Sequence, residues 1–280
     1  GMYKMNWTAP KGYKRAVLVF DGAMSQPVVS VNGKEAGKWA YGYNAFRIDI
    51  TPFIQFGKSN LIEVHLNNVE ESSRWYPGGG LYRPVSVELY GNENFSTWDT
   101  FVRTLKADKQ EAEVEVNALL EGKTGKSGKT VIALFDEAGK KVAEQTVSGA
   151  TPEIKTTLKV ANPQLWSPES PYLYQVKLTR YEGKKVADVQ TLKTGIRTIA
   201  VSKDCGFQLN GVTRKLKGVC LHHDLGPLGA AENKAALIRQ IKMMKQMGCD
   251  AIRTAHNMPS TMQMELCDSL GMMVMAESFD

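Results

Sequence analysis

The feature that most restricts the fold of this chain is a change of hydrophobic period near Val201. Before it, apolar residues alternate at period two through many short runs, the mark of half-buried strands. After it, strand-like and helix-like stretches take turns. Leu216 to Leu221 is an apolar strand, and Leu237, Ile241 and Met244 then recur at i, i+4 and i+7, one face of a helix that Gly248 is placed to end. Ala251-Ile252-Arg253-Thr254 is a second strand. Ser260 and Gln263 have capping-box spacing for a second helix, Gly271 ends it, and Met272 to Ala276 is a third strand. This β-α-β-α-β order, at about 30 residues per unit, predicts a parallel sheet with helices outside it. A (β/α)8 barrel takes roughly 250 residues. The segment 200–280 is far shorter, so it is expected to hold the first three units of such a barrel.

Upstream, the runs suit two antiparallel sandwiches. In residues 1–93, Ala16 to Phe20, Val28 to Val31, Leu61 to Leu66 and Val85 to Leu89 read as strands, with Asn32-Gly33 as a hairpin turn. In residues 94–199, Val114, Val116, Val131 to Phe135, Ile154 to Val160, Leu173 to Leu178 and Val189 to Leu192 recur at sandwich-like spacing. That segment is close to the length of an immunoglobulin-like domain. Asn210-Gly211 makes one further hairpin before the period changes.

Composition removes several classes of function. The net charge is +6, but the lysines cluster in Gly-flanked turns (Lys123, Lys126, Lys129; Lys140, Lys141; Lys184, Lys185) and not on one face. Solvated turns explain them better than a nucleic-acid partner. No apolar run approaches the roughly 18 residues of a membrane span. Cys205, Cys220, Cys249 and Cys267 form no C-x-x-C pair, which argues against zinc or redox chemistry; three lie in apolar patterns and are expected to be buried. The methionines after residue 240 sit at helix-face or strand positions and are expected in the core. Gly1-Met2 resembles a cloning scar and is set aside. The compartment is then periplasmic or extracellular if an export signal preceded it, and cytoplasmic otherwise.

Four segments carry chemistry. Ser72 to Val85 contains Arg74, Trp75, Tyr76 and three consecutive glycines. It reads as a rigid aromatic loop, and its rings also suit the C–H face of a sugar. Gly218 to Asp224 places His222, His223 and Asp224 after the first parallel strand, the barrel edge where active sites gather. A metal site there is disfavoured, because neighbours on an extended chain point to opposite faces. Asp250 to Pro259 places Arg253, His256 and Asn257 at the end of the second strand. Asp268 falls on the second helix, and Glu277 ends the third strand.

Together these segments resemble glycoside hydrolase family 2. The resemblance rests on Arg74 to Gly78 with Leu81-Tyr82-Arg83, on Asn162 to Pro168 with Pro171 to Tyr174, and on Gly195-Ile196-Arg197. Arg253 to Asn257 and Leu266-Cys267-Asp268 with Gly271 complete it. It implies a jelly-roll sugar-binding domain at 1–93, an immunoglobulin-like sandwich at 94–199 and the start of a TIM barrel at 200–280. It also implies a retaining exo-β-glycosidase, most often a β-galactosidase, with β-glucuronidase and β-mannosidase as variants. Two glutamates about 5–5.5 Å apart do such work. In the family they follow the fourth and seventh barrel strands, so neither is expected here and this segment alone is expected to be inactive. Glu277 matches a non-catalytic position of the family.

The substrate-contacting residues implied are His256, Arg253, Asn257, His222, Asp224, Arg74 and Trp75. The resemblance gives His256 contact with substrate hydroxyls and gives Arg253 the positioning of active-site carboxylates. Cys220, Leu221 and His223 depart from the family's common form. No cofactor or metal is implied. The partner implied is a β-galactoside, and a homo-oligomeric parent is allowed. Two other readings compete, a non-catalytic carbohydrate-binding sandwich and a purely structural scaffold. An incomplete barrel would also leave the third strand with an unpaired edge.

Overall fold

A computed structural model describes residues 1–69, 79–122, 128–149 and 151–278. Arg74, Trp75, Lys123 and Lys126 lie outside the described residues. Contacts divide the chain into two compact units: Gly1–Tyr90 with Gly218–Cys267 and Val274–Asp280, and Gly91–Lys217 with Asp268–Met273.

The first unit opens with seven strands, β1 (Met2–Thr8), β2 (Arg15–Phe20), β3 (Val28–Val31), β4 (Lys34–Lys38), β5 (Phe46–Asp49), β6 (Ser59–His65) and β7 (Val85–Tyr90). They form two antiparallel sheets, β1-β6-β3-β4 and β5-β2-β7. Alternation decides which side chains meet: Ala16, Leu18 and Phe20 join Val29, Val31, Phe46, Ile62 and Val64 in one core. The other face of β2 buries Val17 and Val19 with Tyr90. Asn32 and Gly33 both take positive φ in the hairpin turn, the conformation their residue types favour.

The second unit contains β8 (Glu93–Phe95), β9 (Phe101–Ala107), β10 (Glu111–Gly122), β11 (Gly128–Phe135), β12 (Lys141–Ser148), β13 (Glu153–Ala161), β14 (Tyr174–Glu182) and β15 (Lys185–Thr194). One sheet is β13-β10-β8 with β9 also on β10, and the other is β12-β11-β14-β15. Val114, Val116, Ile132, Leu134, Leu158, Val176 and Leu178 fill the space between. A small antiparallel sheet follows, from β16 (Ile199–Ser202), β17 (Gly206–Leu209) and β18 (Val212–Thr213).

The chain then returns to the first unit. The parallel strands are β19 (Gly218–Leu221), β20 (Ala251–Thr254) and β21 (Met273–Ala276), in that order in the sheet. Helix α1 (Lys234–Gln246) links the first pair and α2 (Thr261–Leu270) the second. Asn233 caps α1 through Oδ1, which accepts from Ala236 N, and Leu237, Ile241 and Met244 are its buried face. Ser260 Oγ accepts from Gln263 N and caps α2. Gly218 lets the first strand approach the second, since a Cβ there would stand 2.2 Å from Ala251 O.

Three expectations need correction. Met2 belongs to β1 and pairs with His65, so the first residues are part of the sheet and not an appendage. Of the cysteines only Cys267 is buried; Cys220 and Cys205 are exposed and Cys249 is intermediate. Cys220 keeps its strand position, but its side of the three-stranded sheet is open. The methionines split in the same way. Met244 and Met272 are buried, whereas Met243, Met247 and Met275 are exposed.

Candidate functional site

Parallel strands that share a direction bring their C-terminal ends to one edge, and the residues that follow each strand meet there. After β20, Arg253 and His256 converge on Glu277, the residue after β21. Arg253 Nε donates to Glu277 Oε1 at 2.5 Å, and His256 Nδ1 lies 3.1 Å from Glu277 Oε2. An ionised carboxylate only accepts, so the second contact assigns the proton to His256 Nδ1. Arg253 Nη2, 3.4 Å from that nitrogen, is then in packing contact. Glu277 N donates to Thr254 Oγ1 at 3.2 Å, which ties the end of β21 to its neighbour. Burial works to raise the Glu277 pKa, but the hydrogen bond and charge of Arg253, joined by His256, outweigh it and hold the carboxyl below its ordinary range. Glu277 is therefore an anion at neutral pH and a poor proton donor.

His222, after β19, packs edge-on against His256 with ring centroids 5.4 Å apart. His223 points elsewhere. Its φ is +57°, so the chain is not extended there, yet the two imidazoles still diverge. His223 stands 5.2 Å, ring to ring, from Tyr43. Its Nδ1 lies 3.3 Å from Arg83 Nη2. A guanidinium only donates, so Nδ1 is the acceptor and Nε2 carries the proton. Burial first, then Arg83 and His222, push the His223 pKa down to about 4.

Arg83 is buried and fixes this corner. Nη1 donates to the carbonyls of Tyr43 and Asp21, and Nη2 donates to that of Met258 at 2.9 Å. Tyr41 OH donates to Asn257 Oδ1. The turn Ala40–Asn44 of the sandwich thus stands beside the residues that follow β20. Met24, Tyr43, Tyr82, His222, Asp224 and Asn257 help line a cavity of about 170 Å³. Asp224 is exposed, and its Oδ1 accepts from Gly226 N, closing its own turn.

The structure therefore brings Arg253, His256 and His222 together, sets Asn257 against Tyr41, and leaves Asp224 at the rim. Arg74 and Trp75 fall outside the described residues. Neither Tyr41 nor Tyr43 is among the site residues expected from sequence, and Arg83 enters there only as part of a motif. The one signal available for Arg83 was an arginine at the entrance of a strand whose neighbours are apolar.

Two family models match this chain: Glycosyl hydrolases family 2 over residues 96–197, and the TIM barrel domain of the same family over residues 199–279. Among curated proteins, the β-galactosidase BoGH2A of Bacteroides ovatus is 37% identical over all of this chain, which spans 34% of that protein. Among solved structures, a glycosyl hydrolase family 2 member from Bacteroides cellulosilyticus superposes with a TM-score of 0.95 at 39% identity, covering 100% of this chain and 37% of its own. A Bacteroides uniformis β-glucuronidase superposes with a TM-score of 0.84 at 28% identity, covering 98% of this chain and 35% of its own. The chain spans about a third of the length of these relatives.

Proposed function

The chain belongs to glycoside hydrolase family 2, with its immunoglobulin-like sandwich and the opening of its TIM barrel, and from that membership we propose that it forms one wall of the sugar pocket of a retaining exo-β-glycosidase. The single observation that carries this is the Arg253–His256–Glu277 cluster at the C-terminal ends of the parallel strands, the edge where barrels of this kind place their chemistry. In this reading His256 presents its imidazole to substrate hydroxyls, and Glu277 and Arg253 hold that ring in orientation. Asn257 and His222 extend the wall, Asp224 lies at its rim, and Arg74 and Trp75 stay in the substrate-binding proposal from sequence. Segment 1–93 contributes a sugar-binding jelly roll.

Retention requires a proton donor and a nucleophile about 5–5.5 Å apart. Glu277 is engaged by two partners and kept ionised, and Asp224 closes a turn. That leaves neither as the proton donor, and we assign the acid/base and nucleophile to the two glutamates that the family resemblance places after the fourth and seventh barrel strands, outside these 280 residues. The substrate proposed first is a terminal β-galactoside, in line with BoGH2A. A β-glucuronide is the second reading, favoured by the likeness to the Bacteroides uniformis enzyme.

The test uses the full-length protein on p-nitrophenyl β-D-galactoside, β-D-glucuronide and β-D-mannoside. Retained-configuration product from one of the first two is expected. Inversion, or no turnover of any β-glycoside, would overturn the reading. Residues 1–280 alone should show no turnover.

A further inference from the structure

The sandwich carries an aromatic feature that the terminal-sugar pocket does not use. Trp39 is 40% exposed, yet it is held rigidly. Its ring stacks on Phe46 at 5.5 Å with 7° between planes, Phe46 stacks in turn on Phe20 at 4.6 Å, and Nε1 donates to Asn44 Oδ1 at 2.8 Å. The indole helps line an open groove of about 710 Å³. Gln26, Lys38 and Asn67 line it as well, with Asn67 Nδ2 donating to Gln26 Oε1 at 3.3 Å. Tyr41 lines the same groove and donates to Asn257, the residue after His256. Through Tyr41 the groove thus adjoins Asn257, and Trp39 lies two positions before Tyr41, with Ala40 between, at most about 7 Å away.

We propose that this groove is a second saccharide subsite, which binds the leaving-group portion of a β-linked oligosaccharide by stacking a sugar ring on Trp39. The chemistry fits both faces of a pyranose. Its C–H face needs a flat apolar surface that is already ordered, and the Phe46–Phe20 stack supplies that order at no cost on binding. Its hydroxyls need donors and acceptors at the edge, which the two amides and Lys38 provide. A purely apolar ligand would desolvate Gln26, Asn67 and Lys38 without replacing their hydrogen bonds. The subsite rests on the glycosidase reading for its orientation, since Tyr41 ties it to the strand-end cluster.

The experiment compares full-length wild type with Trp39→Ala and Trp39→Phe on two probe pairs. One pair is β-D-galactosyl fluoride, whose leaving group is a single atom, with galactotetraose; the other is β-D-glucuronyl fluoride with a hyaluronan tetrasaccharide ending in glucuronic acid. In the pair that is turned over, Trp39→Ala should raise KM for the tetrasaccharide about tenfold and leave the glycosyl fluoride essentially unchanged. Trp39→Phe should restore most of the loss. Equal losses on both members, or none on either, overturn the proposal. If neither pair is turned over, the galactoside and glucuronide readings fail by themselves, and calorimetry with the two tetrasaccharides decides the subsite. Binding that weakens about tenfold in Trp39→Ala supports it, and no binding to either overturns it.

Discussion

Each compact unit contains an arginine–glutamate pair, and the two pairs have opposite characters. In the immunoglobulin-like sandwich, Arg180 Nη2 donates to Glu93 Oε1 at 3.0 Å, with side chains 1% and 2% exposed. At the barrel edge, Arg253 and Glu277 meet at 2.5 Å with 41% and 23% exposed. The first pair is sealed: Thr130 Oγ1 and Gly149 O accept further bonds, and a Cβ on Gly128 would stand 2.0 Å from Arg180 Nη2. The second is open and carries a histidine on its free side. A charge pair closed off from water can hold a fold together but cannot meet a ligand. One left at a strand-end rim stabilises little and stays accessible.

The largest effect should come from breaking the sealed pair. Removing one partner strands the other charge in a dry core, which costs about 3–5 kcal/mol. Glu93→Ala should lose about that much in urea denaturation, and the double replacement of Arg180 and Glu93 by leucine should recover most of it. If Glu93→Ala costs under about 1 kcal/mol, the range of exposed pairs, the contrast collapses.

Arg253→Ala should invert the pattern. Exposed pairs contribute at most about 1 kcal/mol, so stability should hardly change. The orientation of His256 and Glu277 should be lost, and misplaced groups cost on the order of a hundredfold in rate. The comparison therefore predicts a fall of about a hundredfold in kcat/KM of the full-length enzyme with a near-constant unfolding midpoint. An equal loss of stability would make Arg253 a structural residue.

Much of the scaffold is legible in the sequence, and the reasons are local. Alternation marked Ile62 and Val64 as the inward side of β6, Asn-Gly pairs marked the turns at Asn32 and Asn210, and the spacing of Leu237, Ile241 and Met244 marked the buried face of α1. Even Arg180 obeys the alternation, sharing inward parity with Val176 and Leu178. Its partner was not legible, because Glu93 lies 87 residues away. The same holds for the site. Strand ends pointed to Arg253 and His256, but Tyr41 reaches Asn257 across 216 residues and Arg83 reaches His223 across 140. Periodicity reports the face a residue occupies, not the segment that docks on it. Cys220 shows the converse, since apolar neighbours suggested burial where the sheet is open.

The next effect is set by pH. His223 has its pKa pushed down from 6.5 to about 4. Between those values the unfolded chain binds a proton that the folded chain refuses, so stability is complete above about 6.5 and falls as pH drops toward 4. Discounted for partial exposure, the loss should be about 2 kcal/mol. Unfolding midpoints of wild type should decline over that window, and those of His223→Asn should not. The open pair should leave no comparable mark there, because the Glu277 pKa is lowered and its contribution is lost only at more acid pH.

The smallest effect concerns Glu232, which faces the same small cavity as His223, about 40 Å³ in volume. Glu232 Oε2 and His223 Nε2 are both buried there without a partner among the described residues, while Ser260 Oγ donates to Glu232 Oε1. Burial raises the Glu232 pKa against the pull of Ser260 and Arg83. The sign is then opposite to that of His223: the folded chain holds its proton longer, so stability is lost as pH rises from 4.5 toward the raised value. Glu232→Gln keeps an acceptor for Ser260 and removes the ionisation. It should raise stability above that window by about 1 kcal/mol and change nothing at acid pH. A destabilised Glu232→Gln at neutral pH would show that the anion is wanted beside Arg83, making this corner a second sealed ion pair like that of Arg180.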